Sequence, residues 1–182
     1  MATRHVAGLI TEFAPAALWP LGHKVNQKRW VPLVLFLVLA FAAAGIGALA
    51  TATGIEGWYA TLHKPEWNPP RALFGPVWTV LYVLMAVATW QAWNTGDSGQ
   101  ARRTVSLYSA QLTLNALWSV LFFGLHRPGM AFAEILILWA VLLVILFRYW
   151  RIKKTAAWLW SPYVLWVSFA AVLNGTIWSL NR

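Results

Sequence analysis

Hydrophobic positions along this chain gather into five long runs, 31–53, 76–94, 104–125, 130–149 and 156–180. Short breaks carrying charge, Gly or Pro separate them, such as 94–99 and 126–129. A helix needs about 20 mostly apolar residues to cross the hydrocarbon core of a bilayer, and each run comes close to that length. None of the breaks can house a further domain. The pattern predicts an all-α integral membrane protein, a bundle of five transmembrane helices filling 31–182, behind an N-terminal extension at 1–30. That extension is apolar over 8–21 but is interrupted by Glu12, Pro15 and Pro20. Its cations Lys24, Lys28 and Arg29 follow the apolar stretch, whereas those of a secretory signal precede it. It reads as a loose or interfacial segment.

Composition agrees, with 60% hydrophobic and 10% charged residues in 182, against about 25% charged in soluble domains. The net charge of +9 invites a nucleic-acid reading, but the distribution of cations explains it differently. Ten lie before the first run or in the second and fourth connections: Arg4, Lys24, Lys28, Arg29, Arg102, Arg103, Arg148, Arg151, Lys153 and Lys154. Four lie at the opposite ends: Lys64, Arg71, Arg127 and Arg182. Cations concentrate on the cytoplasmic side of membrane proteins. The expectation is therefore a bacterial inner-membrane protein with its N-terminus cytoplasmic, its C-terminus outside, and no nucleic-acid partner.

Conventional chemistry has little to stand on. Cysteine is absent, and the four histidines (His5, His23, His63, His126) are scattered outside the runs. No HExxH, GxSxG or glycine-rich phosphate loop occurs. No metal site and no required cofactor are expected.

The densest feature is 58–82, WYATLHKPEWNPPRALFGPVWTVLY, with three Trp, two Tyr and four Pro. Proline fixes φ and removes a donor, so Pro65, Pro69, Pro70 and Pro76 speak against a continuous helix here. Rings with a polar edge settle where apolar and wet surroundings meet. The segment reads as a stiff aromatic lid between the first two spans.

Inside lipid, polar side chains turn toward the bundle interior. In the third run Gln111, Asn115 and Ser119 recur every four residues, flanked by Tyr108 and Trp118. Interhelical bonding accounts for Gln111 and Ser119 as well as ligand contact does. The fifth run repeats Tyr163, Trp166, Ala170, Asn174 and Trp178 at steps of three and four, and the second offers Trp78, Tyr82, Met85 and Thr89. Together these faces predict a pocket walled by rings, with Asn115 and indole N–H groups as its donors. Of the fourteen Trp, Trp30, Trp58, Trp93, Trp150, Trp158, Trp160 and Trp178 fall near span ends, where an interfacial belt is expected. Glu134 is the one acid within a span; it is either functional or, lying close to the helix end, reaches Arg127 or interfacial water. The small residues of the first run, among them Gly45 and Gly47, predict close helix packing within the bundle or between protomers.

The block WYATLHKPEWNPP with FGPVWTVLYVLM, then 115–119 (NALWS) and 162–166 (PYVLW), resembles the tryptophan-rich sensory protein family, also called the translocator protein or peripheral benzodiazepine receptor family. The resemblance runs from about residue 31 to the C-terminus. It implies a five-helix bundle, often a homodimer, that binds porphyrins such as protoporphyrin IX, and in animal relatives cholesterol and benzodiazepine-site ligands. By position, Trp78, Asn115 and Trp166 match pocket-lining motif residues, with Trp118 beside them. Tyr59, Pro69, Tyr82 and Ala170 fall at further lining positions, and Leu121 stands where relatives can carry an aromatic. Because the chain runs only two residues beyond the fifth run, to Arg182, a sterol site after that run is not expected.

The leading expectation is thus a membrane tetrapyrrole-binding protein acting as sensor, sequestering protein or transporter. A second is light-dependent porphyrin degradation with Trp78 and Trp166 as electron donors, an activity the resemblance associates with some relatives. A third is a membrane scaffold. Transport by alternating access lacks the internal repeat common in secondary transporters.

Overall fold

A computed structural model describes residues 30–182, so the readings made for 1–29 lie outside it. Every regular element among the described residues is helical: α1 (Val31–Gly54), α2 (Trp58–Thr61), α3 (Arg71–Thr95), α4 (Ser98–Ser119), α5 (Pro128–Ile152) and α6 (Lys154–Leu180). A π-helical turn, Val120–Gly124, continues α4. Four helices, α1, α3, α5 and α6, are long and apolar enough to cross a membrane, which makes this an integral membrane protein. The expected fifth span, α4, is not among them. It is long enough at 22 residues, but Gln100, Arg102, Arg103, Ser106, Ser109, Gln111, Thr113 and Asn115 make it too polar.

Helix starts explain most boundary differences. Asp97 accepts the backbone N–H of Gln100 at 2.7 Å, so α4 begins six residues before the apolar run. Hydropathy marks where a helix is buried and not where it starts. As expected, 58–82 is not one continuous helix, but α3 begins at Arg71, directly after Pro69 and Pro70 and five residues before the expected start at 76, so Pro76 lies inside it. Pro76 is the sixth residue of α3, so a single intrahelical bond, to the Ala72 carbonyl, is lost near the helix start. Pro162 lies deeper in α6, and the Ser161 hydroxyl takes up the freed Trp158 carbonyl at 2.9 Å.

Contacts between the long helices close into a ring in the order α1, α3, α6, α5, α4, with α3 also touching α4 across the centre. The half of the bundle away from the lid is solid. Met85, Tyr108, Leu138, Leu142, Trp160 and Tyr163 are fully or almost fully buried there. Their polar atoms are met internally: Tyr108 donates to the Phe36 carbonyl at 2.9 Å and Trp160 to the Leu142 carbonyl at 3.2 Å. Trp160 is therefore a core residue and not part of an interfacial belt. Ala156 and Ala157, both fully buried, let the first turn of α6 close on the bundle.

Gly47 and Gly54 of α1 pack inside the bundle. A Cβ on Gly47 would touch the Ser119 hydroxyl at 3.2 Å, and Gly54 lies directly on the backbone of Phe123. Gly45 has open space around it.

Candidate functional site

The other half of the bundle, under the lid, holds a cavity of about 480 Å³ between α1, α3, α4 and α6. That volume is in the range that takes a drug-sized ligand. α5 contributes no lining residue and backs the wall.

Eight of the nine residues singled out from the sequence lie on this surface: Tyr59, Pro69, Trp78, Tyr82, Asn115, Trp118, Trp166 and Ala170. Leu121 does not. It is buried in a cluster with Phe122, Leu173 and Ile177. Six residues beyond Asn115 is about 240° round a helix, so Leu121 points away while Phe122 and Phe123 meet the cavity. Tyr163, Met85 and Thr89 are likewise core residues, and Trp178 packs on Phe132 with ring centroids 5.7 Å apart.

At the cavity floor the Tyr82 hydroxyl donates to Asn115 Oδ1 at 2.7 Å. Asn115 Nδ2 donates to the Tyr163 hydroxyl at 3.0 Å, which donates in turn to Gln111 Oε1 at 3.1 Å. The amide of Asn115 is thus engaged on both sides. It fixes two phenols and is not the free donor that sequence spacing suggested. Trp118 is engaged as well, giving its indole N–H to Asn174 Oδ1 at 2.9 Å, while Asn174 Nδ2 donates to the Pro128 carbonyl. The indole N–H groups of Trp78 and Trp166 have no hydrogen-bond partner among the described residues. Both residues line the cavity, so these are indole donors not already engaged by the protein.

Rings supply the rest of the wall. Trp78 stands 5.5 Å from Tyr82 and 6.0 Å from Tyr163, and Trp166 lies 5.9 Å from Phe74 and 5.6 Å from Phe169. Phe41, Phe74, Phe169 and Arg71 were not found from the sequence. The helical phase of Trp166 and Trp78 would have reached Phe169 and Phe74; Phe41 and Arg71 carry no such signal.

Glu134 is buried, and neither carboxylate oxygen has a hydrogen-bond partner among the described residues. Of the two readings of Glu134, the pairing with Arg127 is not made among the described residues.

The lid is fastened at several points. Asn181 accepts the His63 N–H and donates to the His63 carbonyl, both at 2.9 Å, joining the lid to the end of α6. Trp58 stacks on His126 with centroids 4.5 Å apart, and Trp67 meets Phe169 edge-on at 5.8 Å. His126 holds a φ of 55°, a left-handed conformation in the turn before α5. Within the lid, Tyr59 donates to Asn68 Oδ1 at 3.0 Å. Burial raises the Tyr59 phenol above its ordinary pKa, opposed by that bond and by Arg71, so it serves as a neutral donor. Asn181→Ala removes two cross-links, each worth about 1 kcal/mol. Amide exchange around His63 is expected to speed up about tenfold or more, measured by hydrogen–deuterium exchange, with exchange in α5 unchanged.

An apolar helical bundle enclosing a ring-lined cavity under a fastened loop defines a helical membrane protein with an internal aromatic cavity. Sequence comparison narrows the class. The TspO/MBR family pattern matches residues 34–179. The chain is 38% identical to the tryptophan-rich protein TspO of Chlorobaculum tepidum over 156 residues, 85% of this chain and 99% of that one. It is 41% identical to the tryptophan-rich protein TspO of Archaeoglobus fulgidus over 146 residues, covering 79% and 94%. To the translocator protein of Bos taurus it is 35% identical over 155 residues, covering 84% and 92%. This chain belongs to the TspO/MBR family.

Proposed function

We propose that the protein binds a porphyrin-type tetrapyrrole in the cavity and serves as a membrane sensor, sequestering protein or carrier of it. The observation that carries this reading is the pairing of Trp78 and Trp166, two indoles on the cavity wall with unused N–H groups. A flat apolar ring would be held by stacking and edge contact, and its nitrogens or substituents oriented by those donors. In this reading α4 spans the membrane with the other four long helices, sheltered by α1, α3 and α5 against its polar inner face. The N-terminus is cytoplasmic, the lid faces outward from a bacterial inner membrane, and the chain forms a homodimer.

The test is a titration of purified protein with protoporphyrin IX in the dark, followed by quenching of intrinsic Trp fluorescence. Trp78→Ala and Trp166→Ala are each expected to weaken binding about tenfold. Trp150→Ala, a change at an exposed ring outside the cavity, is expected to leave it unaltered. Equal affinity in wild type and both cavity variants would refute the site. A second reading, light-driven degradation of the bound ring, draws on the same two indoles as electron donors. Illuminating the dark complex separates the two, since only degradation yields a new bilin-like absorption.

A further inference from the structure

The mouth of the cavity carries a charge that its apolar wall does not explain. Arg71, the first residue of α3, is exposed and also lines the cavity. Among the described residues no carboxylate lies within salt-bridge distance of it, although Glu66 is only five residues away. A second cation, Lys64, lies within electrostatic range of Arg71. Its ammonium is already spent on the lid, donating to the Tyr59 carbonyl at 2.7 Å and the Leu62 carbonyl at 2.9 Å. The Lys64 pKa is held below the ordinary lysine value, by burial first and then by Arg71. Two like charges thus lie within electrostatic range of each other near the cavity mouth, and neither is in a salt bridge among the described residues. Such an arrangement raises the positive potential at the mouth and favours an incoming anion.

We infer that Arg71 is a specificity residue that receives a carboxylate on the edge of the cavity ligand, with Lys64 reinforcing the positive potential. The inference rests on the proposed function, because it concerns the same cavity and the same ligand. It adds a chemical requirement: the ligand is a flat apolar body bearing a carboxylate at one edge, and it docks with that edge toward the lid. A guanidinium can hold a carboxylate through two parallel N–H···O bonds, a geometry that an ammonium tied to backbone carbonyls cannot offer. The apolar wall would bind the body of the ligand with or without this contact. Arg71 sets which end enters last and which ligands are preferred.

Two probes with one ring system test this, protoporphyrin IX and its dimethyl ester, the second lacking both negative charges. Each is titrated in the dark into wild type, Arg71→Gln and Arg71→Lys. Arg71→Gln is expected to weaken protoporphyrin IX about tenfold or more while changing the ester less than about twofold. Arg71→Lys should restore part of the loss, and added salt should weaken the diacid selectively in wild type. Arg71 is exposed, so a melting curve matching wild type is expected for both variants. If Arg71→Gln leaves the two probes equally affected or equally unaffected, the carboxylate contact is refuted while the cavity stands. If neither probe binds wild type saturably, the cavity reading falls and this inference falls with it.

Discussion

Asn115→Ala is expected to lower the unfolding midpoint of the purified protein and to weaken ligand binding together. The Asn115 amide joins Tyr82 of α3 to Tyr163 of α6, at 2.7 Å and 3.0 Å. Alanine leaves the Tyr82 hydroxyl without its acceptor and the Tyr163 hydroxyl with Gln111 alone, both in a buried setting. Hydrogen bonds between membrane helices are worth less than the cost of desolvation alone suggests, about 0.6 kcal/mol on average. Two such bonds plus an orphaned buried hydroxyl come to about 2 kcal/mol. Thermal unfolding in detergent reads the loss. The decisive comparison adds Tyr82→Phe, which removes the orphaned hydroxyl. The double variant should be more stable than the sum of the two single losses, and strict additivity would mean the bond is not made in solution.

A larger loss is expected from Gly54→Val. This buried glycine ends α1 against the π-helical turn, and a Cβ there would fall on the carbonyl oxygen of Phe123. It would also lie 3.2 Å from the carbonyl carbon and 3.3 Å from Cα of the same residue. These are backbone atoms, so no side chain can swing aside. Either α1 moves outward or the turn unwinds, and both deform the wall that carries Phe122 and Phe123. A cost of about 3 kcal/mol is expected, seen as lost monodispersity or a sharply lower midpoint. Gly45→Ala, on the same helix with nothing within 4 Å, should be neutral or slightly stabilising, since alanine favours helix. Similar effects from the two substitutions would contradict the packing of α1.

How much of this was legible in the sequence depended on the kind of signal. Apolar run length was enough for the four helices that qualify as spans. In α4 polar side chains interrupt the apolar run, and three neighbouring helices cover the face bearing Thr104, Gln111 and Asn115. Helical phase brought Trp78 and Tyr82 to one wall and Trp166 and Ala170 to another, because residues three and four apart share a face. The same rule excludes Leu121, which was named by motif position and not by phase. Pairings between helices were beyond reach. Nothing in the order of residues says that Asn115 meets Tyr82 and Tyr163, or that Asn174 meets Trp118, because both depend on which helices are neighbours around the ring. Trp160 illustrates the complementary error: its place near a span end suggested an interfacial ring, whereas the alanines before it draw it into the core.

The fastening of the lid also bears on how the protein is made. His63 and Asn181 are 118 residues apart in the chain. During synthesis the lid emerges early, directly after α1, but its clasp exists only once α6 has been completed. Until then the rings of the lid and the unroofed cavity wall are open to each other and to lipid. Contacts of such sequence separation form late, after local helices and hairpins of helices have settled. Closure of the cavity is therefore a terminal step of biogenesis, and a nascent chain halted before α6 would present an open basin.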